Sequence, residues 1–450
     1  MTRLDARWNH EPMDASQPFT EPLTPPADVD PATLTITGEA PRERGYARGQ
    51  AAAADIARAA AGYSALFTAG QIPPQSQRDA AEASLTALEA WDPRQVEELR
   101  GVAAGAAAAG ATFDGQPLQL WHVGLVAART EILTLAVEPT PECSTIAYAA
   151  PGRTLGVQTW DWHAEFAGYW HYQQVSPCGE TGLSHAGFAE YGMLGKIGLN
   201  SAGVGVMLNI LKNRDDAAGG VPVHALLAGV LDRARSVEEA LDIIDSAHTT
   251  SSSVITVVGC DDAVMVEISP HGTSRLRHDS EVVALDSEPI GPGAPAPNSG
   301  RFPDGPGGGD RGITASGGFL IHTNHFIAPD QQDGALPLSA TSRSEERISL
   351  LDERLRGFAA TTSAAGGPHP GADDLLTLMC TGDGDAPVCT SADVHAPFGR
   401  RTATLVTVAI DPNAGTIRMS PGSPRELFGT DAPGASGPAE TARQETFEVR

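Results

Sequence analysis

The sequence predicts a layered α+β domain built on antiparallel sheets. Its first third is rich in alanine and repeats apolar residues at helical spacing, most clearly over 40–67, 92–111 and 117–137. Beyond residue 142 the apolar residues instead form short strand-like runs. A pair of helical segments over 223–247 interrupts these runs before strands resume. Helices, strands, paired helices and further strands in this order are typical of layered α+β folds.

The individual elements follow from apolar periodicity and from residues that begin helices. Ser236 and Glu239 form an S-x-x-E capping box, which marks the start of the second helix of the pair. Besides the three N-terminal helices, the predicted elements are strands at 32–38, 143–150, 153–162, 182–192 and 196–211, helices at 223–234 and 236–247, strands at 252–259, 263–270 and 317–326, a helix at 342–358 and a strand at 402–411.

The charge balance excludes several classes of partner. The 450 residues carry a formal net charge of -26, whereas nucleic acids and anionic membranes are bound through basic patches. No apolar run reaches the ~20 residues of a membrane span, and the N-terminus lacks the charged start and apolar core of a secretory signal. The five cysteines show no paired spacing that would indicate disulfides or zinc. We therefore expect a cytoplasmic protein with neither metal nor cofactor.

Composition also divides the chain into segments. Residues 1–32 are rich in proline, aspartate and threonine without apolar period, which predicts a disordered tail. A helical segment then covers 33–142, and a strand-rich segment covers 143–428. Within the latter, dense glycine and proline predict a flexible insertion at 288–317, and residues 429–450 resemble a second tail.

Cys143 stands at the start of a predicted β-hairpin. Pro151 and Gly152 are the residue types that a tight turn uses at its two central positions, so the strands pair around them. This register places Cys143 opposite Trp160 and one step from Asp161, and opposite residues lie about 5 Å apart. A thiol and a carboxylate are therefore predicted to be neighbours.

Each of these two residues also has a purely structural interpretation. Free cysteine usually packs as a small apolar side chain, and Asp161 is equally acceptable as a hydrogen-bonded residue at a strand end. An aspartate between two tryptophans is costly to bury unless its carboxylate is satisfied, which favours a functional role for Asp161.

Seven stretches resemble, in the same order, the acyl-coenzyme A:6-aminopenicillanic acid acyltransferase (isopenicillin N acyltransferase-like) family of N-terminal-nucleophile hydrolases. They are "RERGYARGQ", "ARTEI", "ECSTIAYA", "QTWDWH", "GLNSAGVGVMLNIL", "GVPVHALLAGVLD" and "HTNHF", with "RRTATLVTVAID" as a weaker match. The resemblance spans about Ile36 to Asp411 and implies a four-layer αββα sandwich of two antiparallel sheets.

The resemblance implies an inactive precursor that cuts itself between Glu142 and Cys143. The thiol would attack the carbonyl of Glu142, move the acyl group from nitrogen to sulfur and release it to water. The new α-amine of Cys143, with a reference pKa near ~8 against ~8.5 for the thiol, would then serve as the base for substrate attack. Many relatives have glycine where this chain has Glu142, and glycine adopts strained backbone more readily.

Three further residues match catalytic positions of the family. Asp161 would orient the α-amine or hold the nucleophile strand. Asn324 in "HTNHF" would donate to the developing oxyanion, with a structural asparagine that bridges backbone as the alternative. Arg401 in "GRRTATL" would be the site arginine, although Arg400 competes for this role and a surface arginine is the alternative.

Candidate substrate-binding residues come from three other stretches, namely Trp162 and His163, Asn200 and Ser201, and Ser252 with Ser251 and Ser253 as competitors. The aromatic pair would line an acyl pocket, unless it only packs the core. Asn200 and Ser201 would build the wall beside the nucleophile. His322 and His325 do not suggest a metal site, because residues three apart on a strand point to opposite faces.

The sequence thus predicts a self-cleaving cysteine amidohydrolase or acyltransferase that forms a thioester on Cys143. Its substrate would be a small N-acyl amide, a peptide-like bond or an acyl-thioester. Hydrolysis is favoured over transfer from coenzyme A, because no basic phosphate-binding cluster is evident. The two fragments would remain associated. A homo-oligomer is compatible with the sequence, which does not determine the oligomeric state. The alternatives are a conventional cysteine peptidase without self-cleavage and an inactive homologue that serves as a binding module.

Overall fold

The computed structural model describes residues 23–136, 143–179, 182–277, 318–339, 342–364, 369–429 and 443–449. The predicted insertion at 288–317, the residue Glu142 and most of both predicted tails lie outside these stretches. Among the described residues, no helix combines the length and apolar character of a membrane span. In the same stretches, no group of three or more His, Cys, Asp or Glu side chains is placed to hold a metal ion.

The helices and strands are numbered in chain order. The helices are α1 Pro41–Ala51, α2 Ala53–Ala69, α3 Pro74–Trp91, α4 Pro93–Ala108, α5 Leu120–Ala127, α6 Arg129–Leu133, α7 Val223–Arg233, α8 Val237–Asp245, α9 Ser344–Ala364, α10 Ala372–Leu378 and α11 Pro424–Phe428. The strands are β1 Thr33–Ile36, β2 Thr112–Phe113, β3 Gln116–Pro117, β4 Ser144–Ala150, β5 Arg153–His163, β6 Trp170–Val175, β7 His185–Glu190, β8 Ile197–Asn200, β9 Gly205–Ile210, β10 Ser253–Val258, β11 Ala263–Ser269, β12 Gly272–Arg277, β13 Phe319–His322, β14 Thr402–Asp411, β15 Thr416–Pro421 and β16 Glu445–Glu448.

Two large sheets organise the described residues. One has eight strands in the order β1-β6-β7-β8-β9-β10-β11-β12. Its edge strand β1 runs parallel to β6, and the remaining pairs are antiparallel. The other sheet has six strands in the order β13-β4-β5-β14-β15-β16, all antiparallel. The predicted nucleophile strand β4 therefore lies between β13 and β5.

The two sheets pack face to face and helices cover their outer faces, which gives four layers. α7 and α8 lie on the eight-stranded sheet, and α9 and α10 lie on the six-stranded sheet. The inner faces share one apolar core with the N-terminal helices. A second apolar cluster, in which Ile146 and Val157 meet Leu351 and Leu355, fills the space under α9 and α10. The predicted α+β class and αββα sandwich are therefore confirmed.

Several elements are not evident from apolar periodicity, namely α3, α10, α11, β6, β12, β15 and β16. The clearest example is α3, which intersperses alanine with polar residues. Its buried face mixes the apolar Ala81, Leu85 and Leu88 with the polar Gln77 and Ser84, so no continuous apolar stripe marks it in the sequence. The capping box that predicted the start of α8 is confirmed, because the hydroxyl of Ser236 accepts a hydrogen bond from the Glu239 backbone at 3.2 Å.

Parts of both predicted tails are structured. In the N-terminal one, Pro26–Asp28 form a 3-10 turn and Val29 is buried in the core. In the C-terminal one, Glu445–Glu448 form β16 at the edge of the six-stranded sheet. There Phe447 packs against Tyr172 with 5.7 Å between ring centroids. Single apolar side chains anchor these stretches, so no periodicity marks them in the sequence.

Buried histidines give the fold a specific sensitivity to acid. Burial lowers the pKa of His171 in β6 to about 3, so this ring is neutral in the folded state. In the unfolded chain its pKa is about 6.5. His171 therefore contributes stability that is complete above about pH 6.5 and is lost as the pH falls towards about 3, because the unfolded state binds the proton first.

Replacing His171 with phenylalanine is expected to flatten the loss of stability in acid. The variant retains a ring against Tyr191, whose centroid lies 4.7 Å away. Between about pH 6 and pH 4 the slope of unfolding free energy against pH should shrink by about 1.4 kcal/mol per pH unit. Urea unfolding at several pH values measures this slope, and the exposed His248→Phe serves as the control. An unchanged slope in H171F would contradict the assignment.

Candidate active site

The predicted hairpin is present with the predicted register. β4 and β5 pair from Ser144↔Thr159 at one end to Ala150↔Arg153 at the other. Gly152 in the turn has a φ of 77°, the left-handed conformation that glycine accepts without strain. One further step along the ladder sets Cys143 opposite Trp160. The Cys143 Sγ lies 3.8 Å from the backbone oxygen of Asp161 and donates a hydrogen bond to it.

Cys143 and Asp161 are both buried, but the Asp161 carboxylate does not bond to the sulfur. Trp160 packs on Phe188 of the eight-stranded sheet with 5.2 Å between centroids, so its side chain faces the space between the sheets. Because side chains alternate along a strand, Asp161 points to the opposite face. There its Oδ2 accepts a hydrogen bond from the hydroxyl of Thr390 at 3.2 Å. Asp161 therefore contacts the Cys143 sulfur through its backbone oxygen, and the charge of its carboxylate also acts on the thiol.

The Cys143 thiol is neutral in this environment. Burial raises its pKa to about 12, and the negative charge of Asp161 raises it further, against the opposing effects of Lys196 and Arg347. A thiolate is the nucleophilic form of cysteine. Attack by Cys143 therefore requires a base that removes its proton during the reaction.

Arg347 in α9 holds the nucleophile strand and Asn324 together. Its Nη1 donates to the carbonyl of Cys143 and to the hydroxyl of Ser144, both at 2.8 Å. Its Nη2 donates to the Oδ1 of Asn324, also at 2.8 Å. The guanidinium is completely buried. A fork of donors is the geometry that arginine supplies better than lysine.

Asn324 is fixed in a single orientation beside Cys143. While its Oδ1 accepts from Arg347, its Nδ2 donates to the carbonyl of Ile210 at 2.8 Å. Its backbone amide donates to the hydroxyl of Ser344 at 2.7 Å. An asparagine Nδ2 carries two hydrogens, so one remains for a further acceptor. The structure therefore brings Asn324 to the same site as Cys143.

Arg347 was not predicted from the sequence, which instead suggested Arg401 as the site arginine. Arg401 lies where β14 begins, and its Nε donates to the carbonyl of Ala396 at 2.7 Å. Its nearest carboxylate is that of Glu165, at 3.8 Å. Within the described residues no hydrogen bond or ion pair connects Arg401 to Cys143 or Asn324, and Arg400 is exposed. The guanidinium at the nucleophile is thus that of Arg347.

A sequence signal for Arg347 does exist. The residues at helical spacing along the buried face of α9 are Ser344, Arg347, Ile348, Leu351 and Leu355. An arginine inside an apolar stripe is rarely buried without a specific partner. The position of this arginine in the stripe therefore indicates a buried polar role.

Asn200 and Ser201 lie at the wrong end of the sandwich for a wall beside Cys143. Asn200 ends β8, where its Oδ1 accepts from the backbone of Ala202 and Val204 at 3.0 Å and its Nδ2 donates to Ala234 at 2.7 Å. This turn lies at the same end as Gly152, whereas Cys143 is at the far end of β4, about 20 Å along the strand. Asn200 is therefore a structural residue of the β8–β9 turn.

A buried ionic cluster lies between Trp160 and Trp162 and was not predicted. Glu190 accepts hydrogen bonds from Arg129 Nε at 2.9 Å, from Lys196 Nζ at 2.8 Å and from the hydroxyl of Tyr63. Arg129 stacks over Trp162 at 3.8 Å from the ring centroid, and Lys196 lies 3.3 Å from that of Trp160.

The charges in this cluster depend on one another. Burial by itself would raise the pKa of Glu190, but the charges of Arg129 and Lys196 reverse this and lower it. Burial lowers the pKa of Lys196 to about 7 despite the opposing charge of Glu190. Burial likewise lowers the pKa of His163 beside Trp162 to about 3, so that ring is neutral.

A pocket of about 140 Å³ adjoins this arrangement. Ile210, whose carbonyl binds Asn324, lines it on one side, and Arg129, stacked on Trp162, lines it on another. Ser251 and Ser252 also line it, and their hydroxyls donate to Glu131 at 2.8 Å and to Asp216 at 2.6 Å. The structure therefore brings Ser251 and Ser252 to the pocket. Ser253 lies within β10 instead.

Comparison with known proteins identifies the family. A family model described as acyl-coenzyme A:6-aminopenicillanic acid acyl-transferase matches residues 148–426, more than half of the chain. The chain belongs to this family. The stretch that matches this acyl-transferase family contains Asp161, Asn324 and Arg347, and it begins shortly after Cys143. A curated relative, the acyl-coenzyme A:6-aminopenicillanic-acid-acyltransferase 40 kDa form of Emericella nidulans, is 29% identical over 399 residues, covering 86% of this chain and 93% of the relative.

Solved structures with distant similarity include two forms of the conjugated bile acid hydrolase from Clostridium perfringens. One form, a mutant in which alanine replaces a cysteine, has a TM-score of 0.34 and 14% identity, covering 62% of this chain and 89% of its own. The other form, in which leucine replaces an arginine, has a TM-score of 0.36 and 13% identity, with coverages of 68% and 97%. Penicillin V acylase from Agrobacterium tumefaciens has a TM-score of 0.28 and 13% identity, with coverages of 62% and 83%. The fold class rests on the sheets and helical layers described above.

Proposed function

We propose that this acyl-transferase family member is a cysteine N-terminal-nucleophile amidohydrolase or acyltransferase that cuts its own chain before Cys143. One observation carries the proposal. Arg347 binds the carbonyl of Cys143 and the side chain of Asn324 with the same guanidinium, so nucleophile and amide donor form one rigid unit. A preorganised donor beside a nucleophile is what acyl transfer requires.

Self-cleavage would use the thiol of Cys143 on the carbonyl of Glu142. The sulfur forms a bond to that carbon while the Glu142–Cys143 amide bond breaks, and the proton of the thiol moves to the departing nitrogen. Water then hydrolyses the thioester, which returns the thiol and leaves a carboxylate on Glu142. Cys143 would thereafter carry a free α-amine.

Substrate turnover would follow the same steps. The neutral thiol needs a base, and the adjacent α-amine, with a reference pKa near ~8, accepts its proton near neutral pH. The acyl group moves to sulfur, Asn324 donates to the oxyanion, and the amine of the substrate leaves with the proton. Water or a second amine then takes the acyl group from the thioester. Asp161 would position the α-amine through its place next to Cys143.

The expected substrate class is an acyl amide, as the family description and the name of the curated relative both refer to acylation of an amine. A conventional cysteine peptidase would instead need a histidine at the nucleophile. Within the described residues the hydrogen bonds of Cys143 run to Asp161 and Arg347, and none runs to a histidine. This observation favours the N-terminal-nucleophile mechanism.

The buried ionic cluster would hold the two fragments together after cleavage. Tyr63 and Arg129 belong to the segment before residue 142, and Glu190 and Lys196 belong to the segment after it. Removing one member of a buried ion pair typically costs about 3–5 kcal/mol. The helical segment should therefore copurify with the strand-rich segment under native conditions.

Trapping the acyl-enzyme tests the proposed function. Rapid mixing with an N-acyl p-nitroanilide, acid quench and intact mass measurement should show one acyl group on the fragment that begins with Cys143. Cys260→Ala is the matched control, because Cys260 is the exposed cysteine that would react non-specifically. Turnover without an adduct at Cys143, or an adduct that disappears in C260A, would contradict the proposal.

A further inference from the structure

The pocket beside Cys143 is cationic in a strongly acidic chain. The whole chain carries a formal net charge of -26, yet Arg129, Lys212 and Arg214 all line this pocket. The lining carboxylate is Asp216, and it already accepts hydrogen bonds from Ser252 at 2.6 Å and from the Asn213 backbone at 2.8 Å. The pocket therefore attracts an anion.

Two buried polar groups in the pocket have no partner. Within the described residues, nothing accepts a hydrogen bond from Arg129 Nη1, and the hydroxyl of Thr130 is likewise unpaired. Both residues line the pocket, and Arg129 is 1% exposed. A buried guanidinium nitrogen without an acceptor is costly, so such groups usually have a ligand. The Nε of Arg129 is already bound to Glu190 and fixes the plane of the guanidinium.

Lys212 supplies a second available cation. It is one of only two lysines in the chain, the other being Lys196 of the ionic cluster. Among the described residues Lys212 makes no ion pair, whereas Arg214 pairs with Asp333 at 2.9 Å and with Asp215 at 3.5 Å. Lys212 and Arg214 therefore differ in availability although both line the pocket.

The rest of the pocket wall is apolar. Its apolar lining residues are Leu133, Ile210, Leu211, Leu336 and Leu338. Leu336 is 41% exposed, which is unusual for a large apolar side chain and leaves an apolar surface at the pocket. A ligand for this pocket would combine an anionic group with an apolar part.

We propose that this pocket binds the carboxylate of an N-acyl α-amino acid, the substrate class whose amide bond Cys143 would attack; the inference rests on the proposed function above. A carboxylate matches the planar fork of Arg129, with Thr130 and Lys212 as further donors. The pocket lies near the nucleophile, because Arg129 interacts electrostatically with the Cys143 thiol and the pocket residue Ile210 binds Asn324. In an N-acyl α-amino acid a single carbon separates the carboxylate from the scissile nitrogen, which is the closest placement that such a substrate offers.

A matched substrate pair tests the inference with the full-length, self-processed protein. N-hexanoylglycine carries a carboxylate where N-hexanoylglycinamide carries an uncharged carboxamide of nearly the same size. The wild-type protein should hydrolyse N-hexanoylglycine with a kcat/KM higher by about tenfold or more, since a charged hydrogen bond contributes this much. The released amine gives the rate for both compounds.

Two variants assign the preference to the pocket. Lys212→Gln should remove most of the preference, chiefly by raising KM for N-hexanoylglycine, so the ratio of the two kcat/KM values is the quantity compared. Arg214→Gln is the matched control and should retain the preference, because its guanidinium already has carboxylate partners. Arg129→Gln should abolish the preference for N-hexanoylglycine. If R129Q does not fold, Lys212→Gln alone decides the test.

The outcomes separate this inference from the proposed function. Equal hydrolysis of both compounds, or a preference for the glycinamide, would overturn the carboxylate site and leave the proposed function intact. A preference that survives in K212Q would also overturn it, whether or not R129Q folds. Self-cleavage without hydrolysis of either compound would exclude N-acyl amino acids as substrates. Failure of the wild-type chain to cleave itself and to hydrolyse any amide would instead overturn the proposed function.

Discussion

Cys143→Ala is expected to remain one continuous chain and to lose amide hydrolysis by about 10⁴-fold or more, as nucleophile removal does in other acyl-transfer enzymes. Alanine cannot attack the carbonyl of Glu142 and cannot carry the acyl group. Fold stability should change little, because the Arg347 contact is made to the backbone oxygen of Cys143, which alanine retains. A denaturing gel reports cleavage, and a continuous amine-release assay reports turnover.

Cys178→Ala is the control for this result. Cys178 is also buried, and burial raises the pKa of its thiol too, but its sulfur donates to the carbonyl of Glu39 at 3.7 Å in a different part of the fold. The C178A protein should cleave itself and turn over substrate like the wild type. A C143A protein that still produced two fragments, or a C178A protein that did not, would refute the assignment of the nucleophile.

Arg347→Met is expected to lower kcat by about 10²–10³-fold, the usual loss when a preorganised element of an oxyanion site is removed. The substitution leaves the carbonyl of Cys143, the hydroxyl of Ser144 and the Oδ1 of Asn324 without their donor. Asn324 is then free to rotate, so its Nδ2 no longer has one orientation. Because three buried acceptors lose a charged donor, the unfolding free energy should also fall by about 3 kcal/mol.

Catalysis and folding can be separated in this experiment. Arg343→Met removes an arginine one turn earlier, whose partners are the exposed Glu346 at 2.5 Å and the carbonyl of Asp385 at 3.2 Å, and it should behave like the wild type. Arg347→Lys restores the charge without the fork and should recover stability better than kcat. Steady-state kinetics and urea unfolding give the two quantities. An R347M protein with wild-type kcat would show that Arg347 has only a structural role.

The local parts of this site were predictable from the sequence, and the non-local parts were not. The turn at Pro151 and Gly152 determines the register of one hairpin, and this alone places Cys143 near Asp161. Arg347 reaches the same site from 204 residues away in the sequence. Periodicity predicts its helix but does not predict against which strand that helix packs.

The misplaced residues have a related cause. Asn200 lies in a motif that resembles the family, yet its role depends on which end of the sandwich the β8–β9 turn occupies. Strand order and direction decide this, and neither is encoded by the local pattern. The place of Arg401 was equally unpredictable. It precedes β14, which pairs with β5 next to His163, but the Arg401 guanidinium points towards the carbonyl of Ala396. Single-residue anchors such as Phe447 of β16 also leave no local signal.

The helical segment lines the candidate site as well as packing in the core. Arg129 joins the pocket, the Trp162 ring and the Glu190 cluster, and it precedes the proposed cleavage point. The proposed smaller fragment is therefore more than a scaffold for a larger fragment that holds the whole site. Each would supply part of one site, so we expect the smaller fragment to stay bound.

The most direct test of the proposed mechanism is the intact mass of the purified wild-type protein, measured together with its activity. We expect two chains that meet between Glu142 and Cys143, with activity that rises in proportion to the cleaved fraction. A preparation that is fully active while the bond between these residues remains intact would contradict the mechanism, because Cys143 would then have no α-amine to take its proton.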